Sequence, residues 1–278
     1  MKPKRFLTVA GKGATHAVLM ATALIMLLPF VWMLLSSFKE PDDVFTYSMR
    51  WLPSKVTLSG YVRAVTKHPF WRYTANSLII SFSVTSMQLI TSALAGYAFA
   101  RLEFPGRDVL FMIYLAAMMI PHQAMVIPSF ILMKKLKLLD TFAALILPFA
   151  AGPFGAFLMR QFFLSMPKSL EEAAIIDGCS RIGVLWKIIL PLSKPALSTL
   201  ALFVFMNSWN DFMWPLIITN RVEMRTLQVG LSLMRSDVHP DWPMLMAATV
   251  LATMPVLVAF LSAQKQFIES LAFTGVKY

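Results

Sequence analysis

The residues best suited to chemistry lie in Phe205-Met-Asn207-Ser-Trp209-Asn210-Asp211-Phe-Met-Trp214-Pro215-Leu216. Asn207, Asn210, Asp211 and Trp214 fall at i, i+3, i+4 and i+7, which on a continuous helix is one face. Amides, a carboxylate and an indole suit a polyhydroxylated ligand such as a sugar, through hydroxyl hydrogen bonds and stacking on an apolar ring face. The segment sits in an apolar run long enough to cross a bilayer, where an ionised Asp costs about 3 kcal/mol. Asp211 must therefore face a cavity or a partner. Two uses stay open. Asn207, Trp209, Asn210, Asp211 and Trp214 line a substrate pathway, or Asn210 and Asp211 fasten the chain to a partner while both tryptophans sit in an interfacial belt.

A second set is polar and helix-prone: Met166-Pro-Lys-Ser169-Leu-Glu171-Glu172-Ala173-Ala174-Ile-Ile-Asp177-Gly178-Cys-Ser-Arg181. Ser169 followed three residues later by Glu172 predicts a capping box. Gly178 suits the left-handed residue that ends a helix. At 100° per residue, Leu170, Ala173, Ala174 and Asp177 share a low, smooth face opposite Glu171, Glu172, Ile175 and Ile176. A helix this short needs packing partners, and its smooth face predicts a docking element.

These elements sit in an apolar chain. Hydrophobic residues make up 58% and charged residues 14%, against about 25% charged in soluble domains. Six stretches, approximately 15–37, 74–100, 109–133, 140–160, 195–219 and 243–263, match the roughly 20 residues needed to span a bilayer. The first is too long for a signal peptide's apolar core and lacks a cleavage site at its exit. The net charge of +11 is scattered between apolar runs, so lipid headgroups rather than nucleic acid are its expected counter-charge. Lys and Arg are shared almost equally between the two sides, so orientation rests on the basic leader before the first span. The Lys134-Lys135-x-Lys137 cluster, placed outside, has no explanation in this scheme.

Several spans look like parts of a bundle. The second is rich in Ser, Thr, Asn and Gln and carries a Ser92-x-x-x-Gly96 contact motif. The third is broken at Pro121 and Pro128, with His122 and Gln123 at the first break, and the fourth contains Pro148, Gly152, Pro153 and Gly155. Such backbone is tolerated where it lines an aqueous cavity or is buried in protein. Gln123 joins the substrate-pathway candidates. His122 either lines the cavity or bonds to backbone at the break.

The chain has no Gly-x4-Gly-Lys-Ser/Thr loop, its four histidines lack metal-ligand spacing, and its one cysteine excludes an internal disulfide. No second carboxylate at membrane depth accompanies Asp211 as an intramembrane enzyme would need. The expectation is a non-enzyme with no cofactor and no metal.

The run Glu172-Ala173-Ala174-x3-Gly178-x9-Ile188-x-Leu190-Pro191 resembles the "EAA loop" of binding-protein-dependent ABC importer permeases. The Trp209-Asn210-x-Phe212-x-Trp214-Pro215-Leu216 stretch is similar to that of carbohydrate-uptake permeases, and the Gly275-Val-Lys277 ending resembles the smaller maltose-type subunit. The resemblance implies an all-α membrane protein of six transmembrane helices, a type I ABC importer permease fold with a cytoplasmic coupling helix. It divides the chain into a cytoplasmic leader (1–14), a first helix and outer loop (15–70), a core permease domain (71–263) holding the coupling loop (166–191), and a cytoplasmic tail (264–278). Ser169, Glu171, Glu172, Ala173, Ala174, Asp177, Gly178 and Arg181 would couple to the ATPase. Thr274, Gly275 and Lys277 would reach into the ATPase dimer, unless the tail is a frayed end. ATP and Mg would be held by partner subunits.

The implied function is a permease subunit of an ATP-driven oligosaccharide or disaccharide importer. A sugar phosphate, amino acid or peptide is the alternative cargo. The implied partners are a homologous permease, an ATPase dimer and an extracytoplasmic sugar-binding protein, in a bacterial-type inner membrane with both termini cytoplasmic.

Overall fold

Where apolar runs are long, the backbone must satisfy its own hydrogen bonds, and helices do so. The computed structural model describes the backbone of residues 3–44, 50–235 and 240–275 and the side chains of 15–44, 50–235 and 240–264. Among the described residues there is no strand. In chain order the helices are α1 (Pro3–Ser36), α2 (Ser59–Thr66), α3 (Phe70–Arg101), α4 (Arg107–Ala116), α5 (His122–Lys135), α6 (Phe142–Ile146) and α7 (Pro153–Leu164). They continue with α8 (Ser169–Ile176), α9 (Arg181–Val184), α10 (Leu190–Leu192), α11 (Lys194–Trp209), α12 (Met213–Ile218), α13 (Leu227–Arg235) and α14 (Trp242–Gly275). A π-helical turn, Leu185–Ile189, joins α9 to α10.

Three stretches are each long and apolar enough to cross a membrane alone: Thr15–Ser36, Phe70–Arg101 and Trp242–Gln264. Three more arise only as bent pairs: Arg107–Met119 with His122–Lys135 at 98°, Phe142–Phe149 with Pro153–Leu164 at 43°, and Arg181–Leu192 with Lys194–Trp209 at 80°. The expected third span, 109–133, is thus two nearly perpendicular arms rather than one rod. Pro121 causes this, since it forces extended backbone at the break and supplies no N–H.

The chain forms two compact units, residues 1–69 with 231–253, and 70–230 with 254–278. In the first, the apolar α1 presents its described side chains from Thr15 to Val31 outward. Lys39 is fully buried, its ammonium donating to the Arg50 carbonyl at 2.6 Å and lying 4.4 Å over the Trp32 ring. Arg63 and Asp241 form a two-pronged ion pair at 2.6 and 3.2 Å. Gly60 lies against the Pro243 carbonyl, where a Cβ would come within 2.9 Å.

The second unit is built on α3, packed against α7 and α11. The expected small-residue contact is present. A Cβ on Gly96 would stand 2.7 Å from Met159 Cβ, and one on Gly155 would strike the Ser92 hydroxyl. Phe82 of α3 meets Phe205 of α11 with ring centroids 5.4 Å apart. Polar residues of α3 also mend the broken fourth span. Phe149 would bond to residue 153, which is proline, and Gln88 Nε2 donates to that orphaned carbonyl at 2.9 Å. Thr91 Oγ1 donates to the Ala150 carbonyl at 3.0 Å.

Candidate functional site

A cavity of about 700 Å³ opens within the second unit. α3 lines it with Ser77, Ile80, Val84 and Gln88, α11 contributes Asn207, and Asp211 stands just beyond that helix. His122 lines it from the break before α5, its ring 5.3 Å from that of Phe149. The cavity reading of His122 therefore holds over the backbone-bonded one. Gln123, the expected neighbour, is exposed and outside the cavity, because the first turn of α5 aims it the other way.

The stripe on span five is also corrected. α11 ends at Trp209, Asn210 is its C-cap, and the chain re-enters helix only at Met213. Pro215 offers no N–H to the carbonyl four residues back, so a continuous helix would leave the Asp211 carbonyl unpaired. The Asp211 side chain meanwhile accepts from the Trp214 N–H at 3.4 Å, a local bond that competes with helix. Asn207 and Asp211 still share the cavity wall, whereas Asn210 does not line it.

Trp209 and Trp214 are each 1% exposed, neither in the cavity wall nor in a lipid-facing belt. Trp209 stacks on Phe205 at 5.9 Å, and Trp214 Nε1 donates to the Ala144 carbonyl at 2.9 Å. They are packing residues, Trp209 against its own helix and Trp214 against α6. Sequence reasoning missed Thr226, whose buried hydroxyl has no hydrogen-bond partner and lies in the cavity lining. Its segment is fastened to α3 by Asn76, which donates to the Glu223 and Arg225 carbonyls at 2.8 and 2.9 Å. No periodic signal announces that loop.

The polar insert folds as α8, but without the expected capping box. Lys168 at the N-cap is itself helical (φ −65°, ψ −26°) and Ser169 is already the first helical residue. A capping side chain needs extended backbone at its own position, so Ser169 makes no cap bond. The C-terminal signal is met in full. Gly178 has φ +85°, its N–H bonds to the Ile175 carbonyl at 3.0 Å, and Cys179 N–H bonds to Ala174 at 2.9 Å, the Schellman pattern.

The faces of α8 differ from the expected ones. Glu171 and Ala174 turn inward, while Ser169, Leu170, Glu172, Ala173, Asp177 and Gly178 are exposed and Ile176 is 85% exposed. The charge of Glu171 is drawn in by Arg101 at the end of α3, with Tyr97 beside it. Helical periodicity alone cannot show that pairing. Arg181 is exposed and begins α9, which Ser180 caps by accepting from the Gly183 N–H at 3.2 Å. Lys277 and the side chains of Thr274 and Gly275 lie outside the described residues.

The arrangement is a largely apolar cavity with a few polar groups in its wall, and a short exposed helix, carried by the same long α3. Among the described residues no group of acidic, histidine and cysteine side chains could hold a metal.

A family model described as binding-protein-dependent transport system inner membrane component matches residues 88–271. Among similar proteins, the trehalose/maltose transport system permease protein MalG of Thermococcus litoralis is 39% identical over 281 residues, covering 99% of this chain and 97% of its own. The arabinooligosaccharides transport system permease protein AraQ of Halalkalibacterium halodurans is 35% identical over 258 residues, 92% of each chain. A solved chain from a bacterial ABC transporter involved in the import of the acidic polysaccharide alginate superposes with a TM-score of 0.84 at 28% identity, over 96% of this chain and 98% of that one. A second, from a bacterial alginate ABC transporter in complex with alginate pentasaccharide-bound periplasmic protein, has a TM-score of 0.64 at 14% identity and shares the fold.

Proposed function

The chain belongs to the binding-protein-dependent transport system inner membrane components, and from that membership we propose that it is one permease subunit of an ATP-driven importer for neutral oligosaccharides or disaccharides. A homologous permease completes the pathway, two ATPase subunits hold ATP and Mg, and an extracytoplasmic binding protein delivers the sugar. Both termini lie in the cytoplasm. In this cycle, closure of the ATPases moves α8, and the cavity switches from facing inward to facing the binding protein.

One observation supports the neutral cargo. Among the described residues, the cavity wall offers Ser77, Gln88, Asn207, Ser208, Thr226, His122 and a single carboxylate, Asp211, and no Lys or Arg. Hydroxyls are well served by such groups, whereas a sugar phosphate or uronate would meet Asp211 with no compensating cation from this chain. The relatives named for maltose, trehalose and arabinooligosaccharide transport support this cargo, whereas the solved chain from an importer of the acidic polysaccharide alginate speaks for a charged one.

The test is ATPase activity of the complex reconstituted in liposomes with its binding protein. A neutral oligosaccharide should stimulate hydrolysis and appear inside the vesicles. A complex that responds to none, or only to a phosphorylated sugar, an amino acid or a peptide, would remove this reading.

A further inference from the structure

The coupling helix α8 is tied to the end of α3 by a buried charged joint, beside the packing of Ala174 into the core. Arg101, in the last turn of α3, pairs through Nε with Glu171 Oε1 at 2.5 Å, their side chains only 4% and 11% exposed. The same guanidinium donates from its terminal nitrogen to the Met166 carbonyl at 2.9 Å, and the Tyr97 hydroxyl approaches Glu171 Oε2 at 3.4 Å. Arg101 thus holds both the turn before α8 and the helix itself. The connection between α7 and α8, residues 165–168, would otherwise be a hinge.

α3 is a single helix with no proline among its 32 residues. The cavity-lining residues of α3, Ser77 to Gln88, lie 24 to 13 positions before Arg101, about 36 to 20 Å of rise at 1.5 Å each. The segments around it are broken at Pro121, Gly152 and Asn210. A rigid rod with a cavity at one end and a charged grip at the other can transmit displacement, where a kinked helix would bend.

We propose that Arg101 and Glu171 form the joint that makes α8 and α3 move as one body, so that motion delivered to the coupling helix reaches the cavity wall. This rests on the permease reading above. Arg101, Glu171 and Tyr97 are positioning residues, and Glu172 one position later is left exposed for a partner.

The experiment uses the reconstituted complex and reads sugar transported per ATP hydrolysed. Wild type must first show sugar-stimulated turnover; its absence would count against the permease reading rather than the joint. Glu171→Gln and Arg101→Met should each lower transport per ATP at least tenfold, and the reversed pair Arg101→Glu with Glu171→Arg should recover at least a third of the wild-type ratio. Unchanged ratios in the single variants would overturn the proposal. So would a reversed pair that restores assembly but not the ratio, since that marks a purely structural contact.

A second measurement does not depend on those variants folding. Spin labels at Leu94 of α3 and Ile175 of α8, in a Cys179→Ser background, should keep one narrow distance between nucleotide-free and ATP-bound complexes. A shift of several ångströms would show α8 moving independently of α3 and sink the joint.

Discussion

Trp214 Nε1 donates to the Ala144 carbonyl at 2.9 Å across the gap between α12 and α6. The bond is needed because the residue four positions after Ala144 is Pro148, which has no N–H to give. Ala144 is fully buried, so water cannot serve instead. Trp214→Phe keeps most of the packing and orphans that carbonyl, a loss of about 1–3 kcal/mol. Thermal unfolding of the purified protein in detergent should show the lower midpoint, and Trp214→Leu should lower it further.

The two glycines Gly96 and Gly178 should fail in different ways. A Cβ at Gly96 meets Met159 and the Arg160 backbone at 2.7 and 3.0 Å, so even Gly96→Ala pushes α3 and α7 apart and costs about 1–3 kcal/mol. At Gly178 nothing lies within 4 Å, and the obstacle is φ +85°. Gly178→Ala should cost about 1–2 kcal/mol of local strain and Gly178→Asn less. Thermal midpoints should fall with Gly96→Ala, whereas transport per ATP should fall most with Gly178→Val, assembly being retained.

Asn207 and Asn210 make a paired test of the cavity, since only the former lines it. Asn207→Ala should remove a hydrogen bond to the sugar worth about 0.5–1.5 kcal/mol, roughly two- to thirteenfold in half-saturating sugar. Asn210→Ala should leave the sugar dependence of ATPase stimulation unchanged. Equal effects from both would return span five to a continuous stripe.

Acid should loosen the loop between α1 and α2. The Asp43 carboxylate accepts from the Ser54 backbone N–H and hydroxyl, both at 2.8 Å, and these bonds hold its pKa below the usual carboxylate value. A depressed pKa means the stabilisation is present above the unfolded value, near 4, and is lost as pH falls through the folded one. Hydrogen exchange at the Ser54 amide should therefore stay slow at neutral pH and accelerate below about pH 4, after correction for intrinsic rates. Asp43→Asn should abolish that pH step.

Local signals were legible in the sequence where one residue decides the outcome. Gly178 ends α8 because only its backbone fits the left-handed turn, and Pro121 breaks the third span wherever its neighbours pack. Ser92 and Gly96 were legible as a contact, since small side chains at that spacing have few other uses. The inward face of α8 was not. Glu171 and Glu172 are chemically equal on paper, and only Arg101, 70 positions earlier, separates them. The break in span five was missed for a similar reason: an i, i+3, i+4, i+7 pattern presumes the helix whose continuity Pro215 and Asp211 end.

Helix α1 makes a different demand. From Val18 to Val31 its large apolar side chains stay exposed among the described residues. At about 25 cal/mol per Å² of apolar surface, keeping so many Leu, Met, Ile and Val side chains in water is prohibitive. Lipid or another subunit must supply the cover from the start of synthesis. Because α1 belongs to a different compact unit from the α3–α7 core, defects in that core should leave a membrane-anchored chain rather than a soluble misfolded one.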